Sequence, residues 1–221
     1  PRTNPLIVHI GDLHQLEPLV TNIPFAAKII MEEFWPGPLT IILPKSQLIG
    51  DFVTANQPTV AVRMPSHSMA RELLRSLDFP LVAPSANPYM SISPTNAMQV
   101  QSYFKDVLIL DGGRCKEGIE STIVGFDEHE KCVIFRKGTI ASEEIATVLN
   151  QDVIEYNKGL IKTPGMAARH YAPRNELHIV NDYQEITVSD HLNRVGVLLF
   201  GETEFFMPNA FCINLSQQGD L

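Results

Sequence analysis

The chain has 221 residues, 44% of them hydrophobic and 19% charged, with a formal net charge of −8. This is the composition of a folded globular protein of one large domain or one and a half ordinary ones, not of a disordered chain. The acidity is spread evenly, 12 Lys and Arg against 16 Asp and Glu in residues 1–148 and 5 against 9 in residues 149–221. It argues against general electrostatic binding to nucleic acid, which needs a clustered basic face.

Leu6–Ile10 is an apolar, β-branched run of strand type, entered through Asn4-Pro5. His9 interrupts it and, taken alone, reads as a satisfied core histidine. Asn22 and Pro24 are expected to start a helix that buries Phe25, Ile29 and Ile30 and runs to about Phe34. Phe34-Trp35-Pro36-Gly37-Pro38 is a stiff break anchored by the single Trp of the chain. Leu39–Leu43 is the next strand. Thr59–Arg63 is another, with Val60 and Val62 on one side and Thr59, Ala61 and Arg63 on the other. Arg63 ends that strand, where its planar fork would be either a surface charge or a clamp for carboxylate or phosphate. Ser66 is expected to cap a helix with Ala70, Leu73, Leu74 and Leu77 at helical spacing, ended by Asp78-Phe79-Pro80.

Residues 81–95 are the most informative stretch. Leu81–Ala83 reads as a buried strand end, followed by a turn of small polar residues, Ser85, Asn87, Ser91 and Ser93. Ser93-Pro94 is expected to be a hydroxyl N-cap with proline at the first helical position. The helix beyond carries Ala97, Val100 and Phe104 on one face. Such a strand–loop–helix passage is either an ordinary connection or a ligand site, since α/β proteins bind ligands at strand carboxyl ends and helix N-termini attract anions.

Val107–Leu110 is expected to be a strand and Asp111-Gly112-Gly113 a turn. Glu120–Val124 is polar at its start and apolar at its end. Val133–Arg136 ends a further strand in a second arginine, and Ser142-Glu143-Glu144 opens a helix through Leu149 with its carboxylates placed for the helix dipole. Residues 1–149 read as one domain. Residues 150–175 have linker composition but hold the basic, aromatic cluster Arg169-His170-Tyr171. Leu177–Val180 and Val195–Phe200 are expected strands of a second, partial domain over residues 176–221. The opening on Pro1, without Met, and the ending at Leu221 suggest that native sequence is missing at both ends. Cys115, Cys132 and Cys212 form neither a disulfide framework nor a metal pair, and neither a signal peptide nor a membrane-length apolar run is visible. A reduced, cytoplasmic protein is expected.

The polar residues at strand ends and turns are hydroxyls, amides and arginines: Asn4, His9, Thr59, Arg63, Ser85, Asn87, Ser93, Ser121 and Arg136. They include no carboxylate pair of useful spacing, no metal cluster, no nucleophile elbow and no Walker loop. No residue stands out as a catalytic acid, base or nucleophile. The set suits binding of phosphates and a small zwitterion, and chemistry done by positioning and electrostatic stabilisation.

Seven blocks of the chain, in order, resemble the YrdC/Sua5 family. They are Asn4–Ile10; Trp35-Pro36-Gly37-Pro38-Leu39-Thr40; Val62-Arg63-Met64-Pro65; Ala83-Pro84-Ser85-Ala86-Asn87 with Ser93-Pro94-Thr95; Glu120–Val124; Phe135-Arg136-Lys137-Gly138; and Pro164-Gly165-Met166 with His170-Tyr171-Ala172-Pro173. The last is similar to the linker of the long, Sua5-type members. The resemblance implies a twisted α/β sheet of mixed strands with a concave cleft, and a Rossmann-like second domain. It implies an L-threonylcarbamoyladenylate synthase activity that joins L-threonine, bicarbonate and ATP into threonylcarbamoyl-AMP and pyrophosphate. The product would feed the transferase machinery that modifies adenosine 37 of tRNA, and ATP would come with Mg²⁺. By position, Asn4, Thr59, Ser85, Ser93, Arg136, His170 and Tyr171 would contact ATP. His9, Arg63, Ala83 (through its backbone) and Ser121 would contact threonine. The family's Lys-x-Arg pair would fall just before Pro1, so the stretch in hand would hold half of the phosphate cradle and could be inactive alone. Tyr89-Met90 stands where many relatives have Ser-Gly. Two other readings are a carbamoyl-adenylate-forming domain of the hydrogenase-maturation type and a non-catalytic module with weak RNA binding.

Overall fold

The computed structural model describes residues 4–89, 91–156, 177–180, 195–202 and 210–219. The chain divides into two compact units, Pro1–Pro173 and Arg174–Leu221. In the first, seven strands form one mixed sheet in the order β4-β1-β3-β2-β5-β6-β7. These are β1 (Ile7–His9), β2 (Leu39–Pro44), β3 (Thr59–Arg63), β4 (Leu81–Ala83), β5 (Thr122–Phe126), β6 (Cys132–Arg136) and β7 (Ile154–Glu155). The pairs β1–β3, β2–β5 and β6–β7 are parallel, and β1–β4, β2–β3 and β5–β6 are antiparallel. The helices are α1 (Phe25–Phe34), α2 (Asp51–Thr54), α3 (Ser68–Arg75), α4 (Ala97–Tyr103) and α5 (Ser142–Leu149). In the second unit, β8 (Val195–Leu199) and β9 (Ala210–Asn214) form a parallel pair. Among the described residues no helix is long and apolar enough to cross a membrane.

Side-chain alternation divides the seven-stranded sheet into two different faces. Val8, Ile10, Leu39, Ile41, Leu43, Val60, Val62, Val124 and Ile134 share one buried cluster with Ala27, Ile30 and Met31 of α1 and Ile145 of α5. Helices α1 and α5 pack against each other over this face. The buried residues of the other face form a much smaller cluster, Ile42, Ala61 and Ile123, with Ile7 and Phe135 packed beside it. One face of the sheet is therefore the core, and the other is open to carry a site. Cys132 points into the core with no exposure, and burial pushes its thiol up to about 12, whereas Cys115 and Cys212 are exposed.

The connections are pinned by side chains. Gln15 accepts the Gly11 N–H at 2.7 Å and donates to the Leu74 and Leu77 carbonyls, which fixes the turn after β1 against the end of α3. Arg75 reinforces this with a two-point contact to Asp12 at 2.8 and 2.7 Å, an exposed pair of modest energy. At the start of β2, Trp35 donates its indole N–H to the Leu39 carbonyl at 2.8 Å, and the Trp35–Pro36 peptide is cis.

Several expectations are corrected. Helix α4 starts at Ala97 and is capped by Asn96, whose side chain accepts the Gln99 N–H at 2.9 Å; Ser93-Pro94 is not its cap. An Asx side chain immediately before the helix satisfies the free N–H, which leaves Ser93 available elsewhere. Helix α3 begins after His67 with no side-chain cap, so Ser66 does not cap it. Phe25 is 72% exposed: it opens α1 on the outer side, and Ala27, Ile30 and Met31 make the inner face. Val107–Leu110 and Leu177–Val180 are not strands. Leu108 is 98% and Ile179 91% exposed, so these apolar side chains are not buried against a sheet as those of the core strands are.

Gly37 sits where the break after α1 passes closest to the helix. A Cβ there would lie 2.2 Å from the Phe34 carbonyl oxygen, an atom of fixed backbone. Gly37→Ala is therefore expected to destabilise the chain by about 2 kcal/mol or more, read as a lower urea midpoint at unchanged slope.

Candidate functional site

Register across the open face builds the site. His9 stands opposite Leu81 of β4 and Arg63 of β3, Arg63 opposite Thr40 of β2, Thr40 opposite Ile123 of β5, and Ile123 opposite Arg136 of β6. These residues form one transverse row at the carboxyl ends of the parallel strands β1 and β3. The next row, Ala83, Ile7, Ala61 and Ile42, is small and apolar and supplies a floor.

Arg63 is held by its Nε–H, which donates to the Gly37 carbonyl at 3.1 Å, while the Gly37 N–H donates to the Met64 carbonyl at 2.8 Å. The break 35–38 thus grips both sides of the strand end. Burial lowers the pKa of Arg63; the Glu120 carboxylate opposes this and the Arg136 guanidinium adds to it. An arginine keeps its charge through such a shift. Arg136 donates from Nε and Nη2 to the Ser121 carbonyl at 3.0 and 2.8 Å, and from Nη2 to Ser121 Oγ at 2.9 Å. Ser121 Oγ lies 2.7 Å from Thr40 Oγ1. This tight packing around Ser121 depends on Gly138, where a Cβ would come within 2.3 Å of the Glu120 carbonyl oxygen.

Ser93 approaches from the loop before α4. Its hydroxyl donates to Glu120 Oε1 or, at 3.1 Å, to Asn87 Oδ1, and its one proton serves one of them at a time. Asn87 is 9% exposed and is fixed by donating its amide to the Pro88 and Ser91 carbonyls, each at 3.0 Å. The loop is thereby braced by its own amide side chain.

His9 is the unusual member. Among the described residues its buried Nδ1 has no hydrogen-bond partner of good geometry, although the Ile7 and Leu81 backbones lie near enough to the ring to favour its protonated form slightly. Burial, and next the Arg63 charge beside it, lower its pKa to about 4, so the ring is neutral at pH 7. A buried polar atom left unpaired at a charged strand end is what a bound ligand would satisfy.

Of the residues expected at the site, His9, Arg63, Ser93, Ser121 and Arg136 converge on this cluster. Ala83 lies one row away, at the sheet-edge strand β4, and Ser85 follows it on the exposed loop. Asn4 and Thr59 are not brought to the cluster. They precede or begin β1 and β3, at the opposite ends of those strands, and Thr59 is about 13 Å along β3 from Arg63 at about 3.3 Å per residue. Thr59 lines a separate hollow of about 240 Å³ with Asn22, Ile42, Gly125 and Phe135. His170 and Tyr171 lie outside the described residues. Sequence reasoning gave no role to Thr40 and Glu120. Thr40 is the one hydroxyl in the otherwise apolar run 39–43, and Glu120 is a charge directly before the buried Ser121-Thr122 pair.

Comparison with known proteins places the chain in a family. A model of the Sua5/YciO/YrdC family, described as telomere recombination, matches residues 1–138. A second, described as the C-terminal domain of threonylcarbamoyl-AMP synthase, matches residues 140–220. A threonylcarbamoyl-AMP synthase of Pyrococcus abyssi is 42% identical over 187 residues, covering 81% of this chain and 55% of that protein. One from Bacillus subtilis is 39% identical over 218 residues, covering 90% and 61%. The chain thus spans a little over half the length of these relatives. The crystal structure of P. abyssi Sua5 complexed with L-threonine matches with a TM-score of 0.78 at 32% identity, covering 97% of this chain and 67% of that one. E. coli YciO matches with a TM-score of 0.58 at 19% identity over 66% of this chain and 71% of that one, which bears on the fold alone. The twisted mixed sheet is the expected YrdC-like one.

The neutral state of His9 has a consequence for stability. Its folded pKa lies below the unfolded value of 6.5, so the unfolded chain binds the proton more readily between pH 6.5 and about 4. Stability that is complete above pH 6.5 falls as pH drops through this window, by about 3 kcal/mol at most. Urea unfolding from pH 7 to 4 should show this decline, and His9→Gln should lack that part of it.

Proposed function

Because the chain belongs to the Sua5/YciO/YrdC family, we propose that its protein forms threonylcarbamoyl-AMP from L-threonine, bicarbonate and ATP. The threonine amine attacks the bicarbonate carbon, and loss of water gives a carbamate. A carbamate oxygen then attacks the α-phosphorus of ATP, and pyrophosphate leaves. The product suits transfer of the threonylcarbamoyl group to tRNA by a separate enzyme.

The observation that carries this reading is the row His9–Arg63–Thr40, with an imidazole nitrogen that is unpaired among the described residues beside a fixed guanidinium at a strand carboxyl end. Arg63 clamps the threonine carboxylate, and neutral His9 takes a hydrogen bond from or gives one to the same ligand through Nδ1. Ser121 and the Ala83 backbone complete the threonine side. Arg136, Ser93 and Ser85 face the phosphates. Asn4 and Thr59 meet only a ligand long enough to run down the apolar floor toward the far end of β3, as a nucleoside triphosphate is. His170 and Tyr171 belong to the nucleotide side by resemblance. Mg²⁺ would arrive on the phosphates of ATP: among the described residues no group of three or more His, Cys, Asp or Glu side chains is placed to hold a metal.

The test is pyrophosphate release by the protein that contains this chain, which should require threonine, bicarbonate and ATP together. Release that continues without threonine would defeat the reading and favour a carbamoyl-adenylate former. Arg63→Lys keeps the charge but loses the fork, and should weaken L-threonine binding about tenfold or more in calorimetry.

A further inference from the structure

Thr40 has no exposed surface, and among the described residues its hydroxyl has one hydrogen-bonding neighbour, Ser121 Oγ at 2.7 Å. Ser121 is 2% exposed and also accepts from Arg136 Nη2 at 2.9 Å. A hydroxyl has one proton to give and two lone pairs to receive. Two arrangements are possible. If Ser121 donates to Thr40, the Thr40 proton is stranded in a sealed position, at the cost of an unsatisfied buried donor. If Thr40 donates to Ser121, both lone pairs of Ser121 are filled, by Thr40 and by Arg136. The Ser121 proton is then the one left over, in the arginine cluster where a ligand is expected. An oxygen of a ligand placed there selects the second arrangement and satisfies every group.

We infer that Thr40 is a positioning residue whose buried hydroxyl donates to Ser121 Oγ, so that Ser121 presents its own proton to an oxygen atom of the bound amino acid. The inference rests on the placement of threonine at this cluster. It adds that the ligand atom facing Ser121 is an acceptor, a carboxylate or hydroxyl oxygen, and not the amine. Thr40 is well suited to the task. It lies in the centre of the row, between Arg63 on β3 and Ile123 on β5, and strand pairing on both sides fixes its backbone.

The experiment is calorimetric titration of the protein containing this chain with L-threonine, using the parent and the variants Ser121→Ala, Thr40→Val, Thr40→Ser and Ser121→Ala with Thr40→Val. Melting temperatures are recorded for each. Thr40→Val keeps the shape and removes the donor, and should weaken threonine binding about tenfold. Thr40→Ser restores the hydroxyl and should bind within about threefold of the parent, a rescue that packing alone would not give. In the Ser121→Ala background Thr40→Val should cause no further loss, because the relay has already been cut. Parent-like binding by Thr40→Val, while Ser121→Ala is weakened, would overturn the inference and leave the site assignment standing. So would a Thr40→Ser variant that folds and binds as poorly as Thr40→Val. A parent that binds no threonine, or a Ser121→Ala variant that binds like the parent, would overturn the site assignment and this inference together. If Thr40→Val does not fold, Thr40→Cys, a weak donor of similar size, takes its place with the same expected loss.

Discussion

A guanidinium that has left bulk water at the end of a strand needs fixed oxygen partners, and much of the first unit is arranged to provide them. Arg63 meets the Gly37 carbonyl, and Gly37 in turn binds the backbone beyond Arg63 through the Met64 carbonyl. Gly37 can do this because the chain between α1 and β2 folds back tightly, with Trp35 bonded to Leu39 and no side chain at residue 37. The same short segment therefore ends a helix, starts the central strand β2 and holds the charge of its neighbour β3. Loosening it would disturb the core and the site together.

The two faces of the sheet divide these duties. On the helix-covered face, burial of aliphatic side chains drives folding. On the other, three of the described residues are buried in a small apolar cluster, and the strand ends are left with arginine, histidine and hydroxyls. Such polar side chains are tolerable because neighbouring strands satisfy most of them: Arg136 on Ser121, Ser121 on Thr40, Ser93 on Glu120 or Asn87. His9 Nδ1 is the exception, and it marks where the fold stops serving itself.

The strands were legible because alternation is a local property: Thr59–Arg63 states in five letters which side chains face the core and which do not. Arg63, Arg136 and His9 stood out as polar groups at the ends of apolar runs. What brings them together is pairing between residues as far apart in the chain as Thr40 and Ile123, and that register is not written in any one window. Thr40 and Glu120 escaped for the same reason, since their meaning depends on Ser121 and Ser93 across the sheet. Ser93 and Asn96 are both good capping residue types three positions apart, and the side chain that accepts the Gln99 N–H is that of Asn96. The apolar letters of Val107–Leu110 resemble a strand, but a strand needs a partner, and the described sheet offers none there.

The buried thiol in β6 gives the protein a reporter of its own opening. Cys132 faces the core with its ionisation suppressed to about 12, while Cys115 and Cys212 meet solvent. Thiolate is the reactive form, so an alkylating reagent at neutral pH takes the two outer sulfurs first and reaches the third only when strand β6 parts from its neighbours. The rate of that last modification, counted by mass, is a clock for separation of the strand that also carries Arg136. It can be read from the native cysteines, with no substitution in the chain.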